Sequence, residues 1–143
     1  MAYIVKMFGQ APLNMAKGLF DWDTHVIKCA LFTTNTITQA TDDNYTAFAV
    51  ANTEVANGNG YTTAGATLGT KTNTSAALVT SLGAANTSWT TATFTARTAV
   101  VYDSDVGSDK LLGYVDFGAN QSVVAGTFTI AWSGGVIATI TCS

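Results

Sequence analysis

The sequence predicts an all-β protein: a single-domain antiparallel β-sandwich or flattened barrel with one short helix and an irregular N-terminal arm. Three observations lead to this prediction. Apolar and polar residues alternate with the period of a β-strand, most clearly at 92–102 and 111–117. Roughly seven such stretches follow one another at short intervals, separated by turn-forming residues. The chain has 143 residues, enough for one hydrophobic core but too few for two domains of ordinary size.

The first twenty residues are the least regular part of the chain. Their apolar side chains follow no sustained period, and residues 13–20 fit a short helical turn that ends near Gly18. We interpret residues 1–20 as an arm and residues 21–143 as the β-sandwich domain. An N-terminal edge strand is the alternative. An exposed apolar arm would need a partner to cover it.

The next two elements are a strand and the one predicted helix. Residues 23–32 are apolar on both faces, which is typical of a strand covered on both sides. His25, the only histidine, lies at its start, and we interpret it as a surface or hydrogen-bonded residue rather than a ligand or pH switch. Residues 41–54 predict a helix, because Tyr45, Phe48 and Ala49 recur at helical spacing behind an acidic first turn.

The remaining strands lie in the second half of the chain. A tight turn at 57–60 leads to two short polar strands, near 71–72 and at 78–82. Strands at 92–102 and 111–117 predict an antiparallel hairpin at the centre of the sheet, with one face formed by Phe94, Ala96, Thr98, Val100 and Tyr102. A last strand ends at Trp132, turns at 133–135 and continues as a hairpin partner from Val136 to Ile140.

Groups that could carry chemistry form no recognisable motif. The single histidine has no nucleophile motif beside it, and two cysteines with one histidine are too few for a structural zinc site. The chain lacks the spacing of a phosphate-binding loop. Neighbouring aspartates such as Asp21 and Asp23 are typical of turn caps. The sequence therefore predicts no enzymatic activity, no catalytic residue, no cofactor and no metal.

The acidic loop at 103–109 is the one segment that invites a metal hypothesis. Asp103, Asp105 and Asp109 could present oxygens to Ca²⁺. The loop departs from the calcium-binding EF-hand pattern, because the position of the bidentate acid is occupied by Tyr114. We interpret the loop as a solvent-facing connection of the hairpin.

The two cysteines, Cys29 and Cys142, lie far apart in the chain. We interpret each as a small buried hydrophobe in a strand, which suits a reducing compartment. A disulfide formed after release from a cell is the alternative. It would stabilise the fold by about 4–5 kcal/mol in the chain-entropy view.

The composition bears on the partners of the protein. Charged residues make up only 10% of the chain, against roughly 25% in ordinary soluble domains. Small neutral side chains cost less to desolvate than charges, which favours a surface covered by copies of the chain or by a large partner. A net charge of −3 argues against nucleic acid as a ligand. We expect no secretion signal, because the N-terminus has no uninterrupted apolar region behind a positively charged start. We expect no membrane span, because no window approaches about 18 apolar residues.

Several runs of residues carry a resemblance that spans nearly the whole chain. They are ARTAVVYD at 96–103, LGYVDFG at 112–118 and GTFTI at 126–130, followed by Trp132 and residues 135–137, with supporting runs at 20–22, 27–31, 52–55 and 60–62. In these runs the chain resembles a family of small structural proteins of tailed bacteriophages. It departs from the family at Thr63-Ala64-Gly65, where Ala-Gly-Gly is more usual, and at Cys29 and Cys142.

The resemblance implies a virion structural protein, specifically a head decoration (cement) protein. Such a protein would be made in the host cytoplasm and would bind the major capsid protein at the capsid surface. It would also bind itself as a symmetric homo-oligomer, with a trimer favoured. The expected capsid or subunit contacts are Tyr3, Ile4, Met7 and Phe8 of the arm, and Tyr61. On this hypothesis, deleting Met1–Gln10 leaves a folded monomer that no longer binds heads. A tail or fibre-attachment component with a host-recognition role is the alternative.

Overall fold

The computed structural model describes residues 2–105, 107 and 109–142. Strands account for 52% of the chain and helix for about 12%, so the predicted all-β fold is confirmed. The strands are β1 (Ala2–Tyr3), β2 (Lys6–Met7), β3 (Ile27–Phe32), β4 (Ala66–Thr67), β5 (Thr72–Ala76), β6 (Val79–Gly83), β7 (Thr87–Asp103), β8 (Leu111–Trp132) and β9 (Val136–Thr141). The helices are α1 (Ala11–Ala16) and α2 (Tyr45–Ala51), and a 3-10 turn covers Ser133–Gly135.

The strands form two sheets in a sandwich-like arrangement. The six-stranded sheet has the order β1-β8-β7-β3-β4, with β2 also paired to β8, and the three-stranded sheet has the order β5-β6-β9. Every pairing is antiparallel except that of β1 with β8, which is parallel. The expectation of an antiparallel fold is therefore corrected at this one pair of strands.

The central hairpin is confirmed, but its strands are much longer than predicted. β7 and β8 pair from Tyr102↔Leu111 to Thr87↔Ile130, so the strand predicted to end at Trp132 is a continuation of β8 and not a separate element. β8 bends back on itself. The rings of Phe117 and Phe128 lie 5.9 Å apart, whereas eleven residues of straight strand span roughly 36 Å.

Irregular pairing decides which side chains of the hairpin share a face. The register shifts between Ala96 and Thr98, and such a bulge reverses the alternation of side chains beyond it. Ala96 consequently packs with Val101 in one core cluster, while Val100 packs in another. The predicted single face from Phe94 to Tyr102 is therefore wrong beyond Ala96.

The large sheet is covered on both faces. β3 shows this most directly, because Cys29 and Leu31 point into the main core while Ala30 and Phe32 point into a second core. The main core includes side chains of the small sheet. The second core lies under α2, which contributes Phe48. The prediction that this strand is buried on both sides is confirmed.

The N-terminal residues are part of this body and do not form an arm. β1 and β2 each pair with β8, and Phe8 is only 1% exposed in the second core. Ala11, at the start of α1, is fully buried. Backbone pairing to an open strand edge and burial of an aromatic ring together hold residues 2–16 against the sheet. The structure thus matches the edge-strand alternative.

The helices and the C-terminal strand also differ from the prediction. There are two α-helices in the described residues, and α2 begins only at Tyr45 because the side chain of Asn44 caps it, accepting from the Ala47 N–H at 2.8 Å. β9 pairs with β6 and not with β8. Positive φ angles at Gly134 and Gly135, 62° and 71°, turn the chain towards the other sheet. No helix in the described part of the chain is both long and apolar enough to span a membrane.

Candidate functional site

A cleft of about 400 Å³ opens on the surface of the molecule. It lies between the loop at 20–25 and the small sheet, beside the only histidine. Side chains that matter for its chemistry are Phe20, Asp21, Trp22, His25, Asn73 and Ile140. The cleft therefore combines aromatic, acidic and amide groups around one imidazole.

The loop that forms one wall of the cleft is held by its own hydrogen bonds. The carboxylate of Asp21 accepts from the backbone N–H groups of Asp23 and Thr24, at 2.9 and 3.1 Å, and from the Thr24 hydroxyl at 2.8 Å. The hydrogen bond from the Thr24 N–H is the main reason that the pKa of Asp21 is lowered. The ammonium of Lys71 donates to the carbonyl oxygens of Trp22, Asp23 and His25. The expectation that Asp21 acts as a turn cap is confirmed.

His25 is fixed by a buried carboxylate. Its Nδ1 lies 2.7 Å from Oδ2 of Asp103, a side chain with no solvent exposure, whereas the imidazole is 30% exposed. Asp103 also accepts from the N–H groups of Asp21 and Asp105, at 3.1 and 3.0 Å. The hydrogen bond to Asp103 raises the pKa of His25. The interpretation of His25 as a hydrogen-bonded residue is confirmed.

The hydrogen bond between His25 and Asp103 determines which nitrogen of the imidazole is available for chemistry. With Nδ1 held by Asp103, the other ring nitrogen of His25 remains to bind a ligand in the cleft or to exchange a proton. The hydroxyl of Thr24 is engaged with Asp21. Within the described residues, no three or more His, Cys, Asp or Glu side chains are grouped so as to hold a metal.

The acidic loop next to this pair was the candidate calcium segment. Both oxygens of Asp103 accept hydrogen bonds from the protein, and Oδ2 of Asp105 accepts from the Val26 N–H at 2.8 Å. Val106 and Ser108 of the same segment lie outside the described residues. Asp103 and Asp105, two of the three carboxylates of the calcium hypothesis, thus tie the loop to the residues just before β3.

The predicted interface residues fall into two groups. Ile4 is 76% exposed, and Tyr3 and Met7 are half-buried. Phe8 and Tyr61 are only 1% and 2% exposed, so their side chains cannot be contact residues on the surface of this molecule. Phe8 packs against the ring of Tyr114, with centroids 5.1 Å apart.

Tyr61 belongs to a buried network that sequence reasoning missed. Its hydroxyl donates to Oε1 of Glu54 at 2.6 Å and accepts from the Leu31 N–H at 3.0 Å. The hydroxyl of Tyr45 donates to Oε2 of Glu54, also at 2.6 Å, and the Ala64 N–H donates to Oε1. Burial is the main reason that the pKa of both tyrosines is raised. No local pattern pointed to Glu54, because its partners lie on separate elements.

Ile4 is the predicted contact that stays accessible. It lies beside a groove of about 200 Å³ that Val5 and the β9 residues Val136 and Ile137 also line. Other large apolar side chains are well exposed elsewhere, namely Val50 at 86%, Val124 at 78% and Leu78 at 63%. The surface therefore offers separate apolar contacts rather than a single patch.

The two cysteines have different environments. Cys29 is fully buried in β3, and burial raises the pKa of its thiol. Cys142 follows β9 and is exposed, which corrects the expectation that both are buried hydrophobes. Neither thiol forms a disulfide in the described part of the chain.

Comparison with known proteins found no family model, no curated protein and no solved structure that matches this chain.

Proposed function

We propose that this protein is a virion structural protein that decorates the capsid of a tailed bacteriophage and stabilises the head by bridging major capsid subunits. The proposal starts from the sequence resemblance carried by the runs at 96–103 and 112–118. The structural observation that supports it best is the exposed Ile4 beside an apolar groove, at an edge of the molecule with few charges.

The physical role of such a protein follows from linkage. DNA packed in a head pushes the shell outward, and a protein that binds the expanded lattice adds its binding free energy to that state. Repetition over many capsid subunits makes modest individual contacts sufficient. Broad neutral surfaces suit this task, because little desolvation of charge opposes binding.

The remaining features of the proposal concern assembly and location. The protein would bind itself as a symmetric homo-oligomer, with the trimer implied by the resemblance, and would lie on the capsid surface after synthesis in the host cytoplasm. Its direct partner is the major capsid protein.

A second candidate function has its own supporting observation. The cleft beside His25 has Phe20 and Trp22 in its lining together with Asp21 and Asn73. Aromatic and polar groups that converge in a concave site are typical of small-ligand recognition. A tail or fibre-attachment component that recognises a host sugar would use such a cleft.

Copy number and position in purified particles separate the two functions. Imaging and quantitative mass spectrometry of the virus that encodes the chain should find many copies on the head lattice. A few copies at one vertex or on the tail would instead support the second function. Absence of the protein from purified particles would exclude both.

The contact surface is tested by a charged substitution at Ile4. Ile4→Asp should leave the fold intact, because the side chain is 76% exposed, and should abolish binding to expanded heads in a co-sedimentation assay. Val50→Asp is the matched control on another exposed residue and should bind normally. Equal binding by both variants would remove Ile4 from the interface.

A further inference from the structure

β5 is an edge strand of the three-stranded sheet and lacks the usual protection against pairing with another strand. Among the described residues it pairs with β6 on one side and with no strand on the other, and all five of its residues are exposed. Soluble proteins usually protect such edges with a charged side chain, a proline or a bulge. β5 has the sequence TNTSA and pairs regularly with β6 from Thr72↔Gly83 to Ala76↔Val79. It carries none of the three protections.

The geometry of the hairpin shows which backbone groups are open. Ala76 pairs with Val79 across a two-residue turn, and the pair that flanks such a turn exchanges both of its hydrogen bonds. Alternate residues therefore point their backbone groups the other way, so Asn73 and Ser75 direct N–H and C=O away from β6. The indole N–H of Trp22 covers the start of the strand, donating to the Thr72 carbonyl at 2.9 Å. The open part of the edge is residues 73–76.

Charge does not oppose the approach of a second copy at this edge. The chain carries a net charge of −3, which disfavours contact between copies in general. No charged residue, however, occurs between Lys71 and Arg97 or after Asp116, so the whole three-stranded sheet is uncharged. The ammonium of Lys71 is held by the carbonyl oxygens of the loop at 22–25 and does not guard the strand.

We propose that β5 is a self-association surface, where the strand pairs antiparallel with β5 of a second copy of this chain. An antiparallel pair of identical strands has two-fold symmetry, so the outward N–H and C=O groups of each copy meet those of the other. The two small sheets then join into one sheet of six strands. The open edge presents only backbone N–H and C=O groups and small neutral side chains. An identical strand can form hydrogen bonds with those backbone groups, and its own small neutral side chains do not oppose the contact.

The size and symmetry of this contact have consequences. An interface built on one short strand is small, so we expect weak association that requires a high chain concentration to be observed. A two-fold contact closes at two copies, so we expect the isolated chain to be a dimer, and the trimer implied by the resemblance would form only on the capsid. This inference goes beyond the proposed capsid role and does not depend on it.

Ser75→Pro is the direct test, read by light scattering after gel filtration at about 100 µM chain under reducing conditions. The parent should elute with twice the 14.8 kDa mass of the chain. Proline removes the outward N–H of Ser75 and is tolerated where that N–H faces solvent on an edge strand. The variant should therefore be a monomer with an unchanged circular dichroism melt. Ser75→Ala keeps the N–H and should remain a dimer.

Ser75→Lys provides a second variant that does not alter the backbone. It brings two like charges close together on one face of the joined sheet, near the two-fold axis, and should raise the dissociation constant at least about tenfold. If Ser75→Pro melts early, Ser75→Lys decides the question. A monomeric parent at this concentration would overturn the proposal, as would a parent oligomer whose dissociation constant, measured over a dilution series, is unchanged in Ser75→Lys.

Discussion

At the scale of single residues, His25 couples the stability of the fold to pH. Its pKa is raised in the folded state, chiefly by the hydrogen bond to Asp103, and the nearby charges of Asp21 and Asp105 act in the same direction. A raised pKa means that the stabilisation is complete below the unfolded value of about 6.5 and is lost as pH rises through the folded value.

The melting temperature should therefore fall as pH is raised from about 5.5 to about 8.5, and His25→Gln should lose most of that slope. The depressed pKa values of Asp21, Asp43 and Asp116 act only in more acidic solution, so they do not contribute in this range. Parent and variant with the same slope would show that the pair does not respond to pH. Differential scanning calorimetry in buffers of equal ionic strength makes the measurement.

Ala64 holds a backbone conformation that suits glycine. Its φ is 74°, its N–H donates to Glu54 and its carbonyl accepts from the Tyr102 hydroxyl. A left-handed conformation costs an L-residue roughly 1–2 kcal/mol, which glycine avoids.

Ala64→Gly should stabilise the protein by up to about 1 kcal/mol, since part of the gain is offset by greater freedom of the unfolded chain. Urea denaturation gives the value. Ala119→Gly, at an exposed position of β8 with ordinary φ, is the control and should be destabilising. A loss of stability in both variants would mean that the strain at Ala64 is negligible.

At the scale of elements, the central hairpin is a packing element with an exposed extension. Val100 is fully buried in the second core, whereas Val124 on the partner strand is 78% exposed. The two strands therefore contain both a fully buried valine and a well-exposed one.

Val100→Asp should cost at least about 3 kcal/mol of unfolding free energy, because it buries an unpaired charge. Val124→Asp makes the same chemical change in solvent and should stay within about 0.5 kcal/mol of the parent. Chemical denaturation followed by tryptophan fluorescence compares them. A stable Val100→Asp variant that merely failed to bind capsids would make this stretch an interface.

At the scale of the whole molecule, the first ten residues close the fold. β1 and β2 satisfy the free edge of β8, and Phe8 fills the second core beside Phe48 and Tyr114. The earlier expectation, that a chain lacking these residues folds normally and only loses head binding, no longer follows from their placement.

Deletion of Met1–Gln10 should destabilise the protein by at least about 3 kcal/mol, the usual cost of removing one buried phenylalanine. Phe8→Ala should account for most of the loss, while Ile4→Ala should be nearly neutral. Thermal melts of the three variants test the order. If the chain that lacks Met1–Gln10 had the melting temperature of the parent, the interpretation of these residues as an arm would be correct after all.

Much of the fold was predictable because strand formation leaves a local signature. The alternation at 27–32 correctly assigned Cys29 and Leu31 to one face and Phe32 to the other. The turn at 57–60 was also found, and Gly58 and Gly60 adopt the positive φ angles that it requires. Of the candidate site, the sequence yielded His25 as a hydrogen-bonded residue but not its partner, which lies 78 residues away.

The sequence by itself determined the all-β class, the approximate positions of the longer strands and the low charge of the chain, because these follow from side-chain period and composition. Only the tertiary structure decided that Asp103 meets His25, that β9 joins β6, and that the bulge after Ala96 exchanges the two faces. These features depend on which distant backbone and carboxylate groups meet. A local pattern specifies that a polar group needs a hydrogen-bond partner, whereas the packed chain selects the partner.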